Sequence, residues 1–186
     1  MKRAFLLFSL LFGCTLGQCV ELGILTNGGF VAFTVDDDWP VVSMQTHLPV
    51  AVAAFQIPNP SDEGTSDSPN LSISLLQVDA EEGKAMLAKI GAPYGTAAPR
   101  IEKSEGWMIF RQVAMQGSTP YSVVDARKDV ADVVVGVRLA WPHLANNPPD
   151  YDQTMNQKLA AILSSIRGKL GKYEPKNDEV IWRRQE

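Results

Sequence analysis

The stretch Asp132–Trp141, DVVVGVRLAW, alternates more regularly than any other part of the chain. Val133, Val135, Val137, Leu139 and Trp141 fall on one side of a period-2 ribbon. Asp132, Val134, Gly136, Arg138 and Ala140 fall on the other. β-Branched residues at every second position favour a pleated, half-buried strand, so this segment is expected at the centre of a sheet. Two further runs precede it. Trp107–Met115 reaches a Gln116-Gly117-Ser118 turn, and Tyr121–Arg127 reaches a tight turn near Lys128-Asp129. Short turns between adjacent strands predict an antiparallel meander.

Earlier in the chain, Gly28-Gly29 opens the expected globular part and Phe30–Val35 reads as a strand. Asp36-Asp37-Asp38-Trp39-Pro40 ends it, because adjacent carboxylates repel one another and proline cannot continue a ladder. Val41–Gln45 and Val50–Ile57 flank Thr46-His47-Leu48-Pro49 and read as a hairpin. Asn70–Val78 is a strand with Leu71, Ile73 and Leu75 inward. A helix is expected over 79–90, with Asp79 and Glu82 as a capping box and Gly91 as its stop; Gly83 costs it about 1 kcal/mol relative to alanine. Residues 95–106 read as irregular. Behind Asp150, Met155, Leu159, Ile162, Leu163 and Ile166 make one apolar stripe of a helix over Tyr151–Ile166, ended by Gly168. Consecutive strands with segregated helices indicate an α+β fold: an antiparallel sheet with one layer of helix on it. The expected domain spans 28–168, followed by a charged tail, 169–186, in which Val180, Ile181 and Trp182 could dock.

The first 18 residues are set apart from this pattern. Lys2 and Arg3 precede the apolar run Ala4–Phe12, which is too short to span a bilayer and suits a signal segment. Export to the periplasm is therefore expected. Leu11-Phe12-Gly13-Cys14 resembles the lipobox of bacterial lipoproteins, which makes Cys14 a candidate for lipidation and membrane anchoring. Cleavage near Gly17 or Gln18 is the alternative, with Cys19 left as a lone thiol. Either way the folded part has no cysteine pair for a disulfide or a thiolate metal site.

The chain is acidic, with formal net charge −4, and more so once Lys2 and Arg3 are set aside. It has no basic patch, which argues against nucleic-acid binding. The two histidines, His47 and His143, lie near turns and read as exposed polar residues. No HExxH, Gly-x-Ser-x-Gly, Walker loop or GxGxxG occurs. Asp36, Asp37 and Asp38 lack the alternation of a calcium loop, so neither a metal nor a cofactor is expected. Two features point instead to a binding surface for a protein partner. Trp39 and Trp141 place large rings at strand ends, where they either contact a partner or cap the core. Pro58–Pro69, PNPSDEGTSDSP, is a long proline-bordered loop carrying Asp62, Glu63 and Asp67, which would steer a basic partner.

An exported chain with an early Phe-rich strand, an Asp/Trp turn (Val35-Asp36-Asp37-Asp38-Trp39-Pro40) and a late meander running into a C-terminal helix resembles the PsbP-like fold over about residues 28–168. That superfamily includes bacterial envelope members such as DcrB-type lipoproteins. The resemblance implies adaptor or accessory roles and supplies no catalytic residues. Three functions remain in view. The first is a non-enzymatic protein-binding module of the bacterial envelope, of the immunity or inhibitor type that blocks a secreted toxin. The second is an envelope accessory lipoprotein supporting transport or assembly. The third is a small hydrolase with an unrecognised site.

Export makes a direct prediction. Mass spectrometry of the native protein will show an N-terminus between Cys14 and Val20, with a diacylglyceryl mass on Cys14 if the lipobox is used. Retention of Met1 on protein from cells would refute export.

Overall fold

The computed structural model describes residues 19–58 and 68–171. The expected leader with Cys14, the acids Asp62, Glu63 and Asp67 of the expected loop, and Val180, Ile181 and Trp182 lie outside the described residues. Strand accounts for 52% of what is described and helix for 15%. The fold is therefore α+β, but dominated by sheet.

The larger sheet has seven antiparallel strands. In spatial order they are β3 (Val41–Gln45), β4 (Val50–Gln56), β5 (Asn70–Leu76), β9 (Val133–Pro142), β8 (Thr119–Val130), β7 (Trp107–Gln116) and β6 (Arg100–Ser104). The expected hairpin is β3–β4 and the expected meander is β7–β8–β9. β9 is the middle strand, and all five residues of its apolar face are buried. Register carries that face across the sheet: Leu139 lies opposite Leu71 on one side and Val124 on the other, and Val137 lies between Ile73 and Ala126.

A second sheet, not anticipated from the sequence, packs on this face. It has three antiparallel strands, with β2 (Gly29–Asp36) between β1 (Cys19–Leu25) and β10 (Arg167–Leu170). Its centre meets the large sheet through Phe33 and Phe55, whose rings stand edge to face at 6.4 Å. Helix α2 (Tyr151–Ser165) completes the same layer, burying Tyr151, Met155, Leu159, Ile162 and Leu163. The core is thus sheet and helix together on one sheet, rather than helix alone. β1 and β10 occupy stretches read as leader-adjacent and tail, and β6 a stretch read as irregular. The β8–β9 turn falls at Ala131, where φ is +53°, rather than near Lys128-Asp129.

The opposite face of the large sheet is covered by the short helix α1 (Glu81–Leu87) and the turn after it. This helix is shorter than expected and its capping box does not form. Its N-cap is Ala80, without a side-chain cap, while Asp79 accepts from Gln77. Gly83 has a packing cause: a Cβ there would lie 2.0 Å from the Gln77 carbonyl oxygen. Gly91 sits at φ +75° with the Phe110 ring where its Cβ would be. Its N–H donates to Asp125 Oδ2 at 2.9 Å. Asp125, only 1% exposed, also receives Arg138 through Nε at 2.6 Å and Nη2 at 3.2 Å. Burial opposes the Arg138 charge, but the hydrogen bonds and charge of Asp125 outweigh it and hold its pKa above the ordinary value.

Val135 is fully buried in β9. Val135→Asp puts an unpaired carboxylate there at a cost of several kcal/mol, against a whole-domain stability of about 5–15 kcal/mol. The variant should fail to give soluble protein or should melt far below wild type. Cooperative unfolding near the wild-type temperature would show that β9 is not the centre of the core.

Candidate functional site

α2 positions the two places where polar chemistry collects. Along its flank runs an open groove of about 520 Å³, bounded by α2 on one side and β6 and β7 on the other. The floor is apolar, with Trp107, Ile109 and Leu159. The rim is polar and joins all three elements. Arg111 donates from Nη1 to Asn156 Oδ1 at 2.7 Å and from Nε to Glu102 Oε2 at 3.1 Å, and Arg100 approaches the other Glu102 oxygen at 3.3 Å. Asn156 donates back to the Asp152 carbonyl at 2.7 Å. The wall contributed by α2 is lined by the small exposed residues Ala160, Ala161 and Ser164. The groove is therefore shallow-walled, amphipathic and open along its length.

At the other end of α2 its first turn meets the ends of β8 and β9. The His143 N–H donates to the Pro120 carbonyl at 2.9 Å, which extends the β8–β9 register by one pair and aims the imidazole back over the sheet. Ser122 Oγ and His143 Nε2 are 2.8 Å apart. His143 Nδ1 lies 3.8 Å from Asp152 Oδ1, the same oxygen that accepts the Trp141 indole N–H at 2.6 Å. A pocket of about 330 Å³ opens beside His143, walled by Leu144, Pro148 and Pro149. Tyr151, 4% exposed, begins the helix. Among the described residues its hydroxyl and Asn147 Oδ1 are buried without a hydrogen-bond partner. Burial, and then the neighbouring Asp152 charge, push the Tyr151 phenol up to about 12.

The residues singled out from the sequence fall in different places. Trp39 and Trp141 are 6% and 2% exposed, so both rings belong to the core and offer little surface to a partner. Trp39 lies under Lys158, whose ammonium is 4.9 Å from the ring and 3.0 Å from Asp36. Asp36 is thereby paired, while Asp37 and Asp38 face solvent. His47 is exposed, as expected. His143 is not a free turn residue, because it is tied to Ser122. No motif marks that pair: Ser122 and His143 meet only through the β8–β9 register. Among the described residues no group of three or more His, Cys, Asp and Glu side chains converges as for a metal, and no helix is long and apolar enough to cross a membrane.

Tyr151 allows a two-part prediction. Removing a buried hydroxyl that has no partner should cost nothing or stabilise, so Tyr151→Phe should unfold at or above the wild-type temperature at pH 7. In alkali the signs separate the two proteins. The folded phenol holds its proton up to about pH 12, whereas the unfolded one releases it from about pH 10. The folded state therefore binds more protons between these values, and wild-type stability falls as pH rises through that window. Denaturant melts from pH 9 to 12 should show this part of the loss in wild type and not in Tyr151→Phe.

No protein-family model matches the chain, and no curated protein matches it. Among solved structures, LpqN of Mycobacterium tuberculosis, described as involved in cell envelope biogenesis, is similar with a TM-score of 0.45 and 14% identity. The match covers 81% of this chain and 91% of that one.

Proposed function

We propose that this chain is an exported protein-binding module of the bacterial cell envelope and that it engages its partner through the groove between α2 and β6–β7. The observation that carries this reading is the groove itself. Its apolar floor is continuous with the core, and its rim side chains are already fixed by hydrogen bonds, so little side-chain freedom is lost on binding. Asp62, Glu63 and Asp67 add an electrostatic contribution by speeding the encounter with a basic partner, an effect that salt weakens. The immunity or inhibitor form of this function has a secreted toxin as its partner. The accessory form has a component of envelope transport or assembly.

The test is capture from envelope extract by the mature chain, followed by titration of the captured partner. Ala160→Trp fills the groove from an exposed helix position, so it should abolish capture and leave the melting temperature within a degree or two of wild type. Changing Asp62, Glu63 and Asp67 to Asn or Gln should slow association, most at low ionic strength. Replacing His47 and His143 with Gln should leave partner affinity largely intact. Unchanged affinity in Ala160→Trp would remove the groove from the binding surface. Loss of affinity in the histidine variants alone would overturn the reading.

A further inference from the structure

We propose that Ser122, His143 and Asp152 form a nucleophilic centre directed at short-chain carboxylic esters. The centre lies at the N-terminal end of α2, apart from the groove assigned to the partner, and its existence does not depend on that assignment.

Three consecutive elements bring three chemically matched side chains together. β8 supplies a hydroxyl, the end of β9 an imidazole, and the first turn of α2 a carboxylate. With Ser122 Oγ donating to His143 Nε2 at 2.8 Å, the imidazole proton sits on Nδ1, the nitrogen that faces Asp152. The Trp141 indole N–H fixes the Asp152 carboxylate on its Oδ1 side. The 3.8 Å separation between Nδ1 and Oδ1 is looser than a hydrogen bond, as is common before substrate tightens a site. Asp152 acts through His143 and is a positioning residue. Ser122 and His143 are the groups that meet substrate.

The surroundings specify the substrate class. Val113 lies directly opposite Ser122 in the β7–β8 register, and Met115 is two residues further along the same face. They are 63% and 65% exposed, an apolar strip left open among the described residues. A short acyl chain laid on that strip brings its carbonyl over Ser122. The pocket beside His143 then receives the alcohol. In the first step Oγ attacks the carbonyl carbon while Nε2 takes its proton. The bond from carbon to the alcohol oxygen then breaks, and the alcohol leaves with that proton. In the second step water attacks the acyl carbon and gives a proton to Nε2. The Ser122 oxygen leaves with this proton, and the carboxylic acid is released.

The same geometry limits turnover. Ser122 lies inside a strand with ladder partners on both sides, so its own N–H is not presented to an oxyanion as it is at a strand-to-helix turn. A missing oxyanion donor costs about 10²–10³-fold in rate. Acylation of Ser122 is therefore the measurable event.

The experiment treats the full chain with diisopropyl fluorophosphate, whose phosphorus bonds to Oγ with loss of fluoride, and follows labelling by intact-mass spectrometry and peptide mapping. One label on Ser122 is expected, absent in Ser122→Ala. His143→Gln keeps an acceptor for the hydroxyl but cannot take its proton, and should slow labelling by about 10²-fold or more. Asp152→Asn keeps an oxygen for Trp141 and loses only the charge, so it should slow labelling at an unchanged melting temperature. 4-Nitrophenyl butyrate should protect Ser122 from the label, and less so when Val113 and Met115 are both serine. Absence of label on Ser122, or equal rates in wild type and either His143→Gln or Asp152→Asn, overturns the proposal. Partner capture by Ser122→Ala reports on the groove separately, so failure of one assignment is not mistaken for failure of the other.

Discussion

The structure depends on one buried carboxylate. Asp125 sits in β8 on the face of the large sheet turned away from α2, and it holds two different things at once. Arg138 of the neighbouring strand binds it in a fork, and the Gly91 amide binds it from the turn that covers that face. A charge at that depth is tolerable only when its lone pairs are filled, and removing one partner of such a pair typically costs about 3–5 kcal/mol. Arg138 in turn supports Tyr94, with its guanidinium 5.3 Å from the ring centre. A single side chain therefore links the two innermost strands of the meander to the segment that closes the outer face. That closure leaves the other face free to be built as a packed layer of sheet and helix.

Where apolar residues alternate strongly, sequence and structure agree. β9, its meander partners, the β3–β4 hairpin and α2 are all written as periodicity. The small sheet is not. β1 has Val20, Leu22 and Ile24 at period 2, but the run is short and follows closely on the apolar stretch near the N-terminus, which masks the alternation. β10 is Arg-Gly-Lys-Leu and has no apolar pattern at all. It is held by backbone pairing to β2 and by an Arg167–Glu21 ion pair. Gly168, read as a helix stop, is instead a point of close approach, since a Cβ there would lie 2.4 Å from Val130. Tertiary contact decides such segments, and no local propensity announces it.

The candidate sites divide along the same line. A groove between a helix and an edge strand cannot be seen before β6 exists, and its residues 100–104 look like loop. Ser122 and His143 meet because of register, which shifts every side chain to the other face if it slips by one residue. The tryptophans were legible as large rings at strand ends that either meet a partner or cap the core, and both lie in the core. Trp141 faces inward by the alternation of β9, and Trp39 is covered by Lys158 from a helix far along the chain.

The arrangement of the small sheet has a mechanical consequence. β1 and β10 both run antiparallel to β2, so they run parallel to each other on its two sides. Cys19 lies opposite Asp36 at one end of β2, and Leu170 lies opposite Gly29 at the other. A pull between the two ends of the described chain therefore acts along the strands, in opposite directions, with β2 clamped between them. The hydrogen bonds crossing each seam lie perpendicular to that load and must yield together rather than peel one at a time. A chain held at one end while something tugs at the other would resist extension through this three-stranded clamp before its large sheet felt any force.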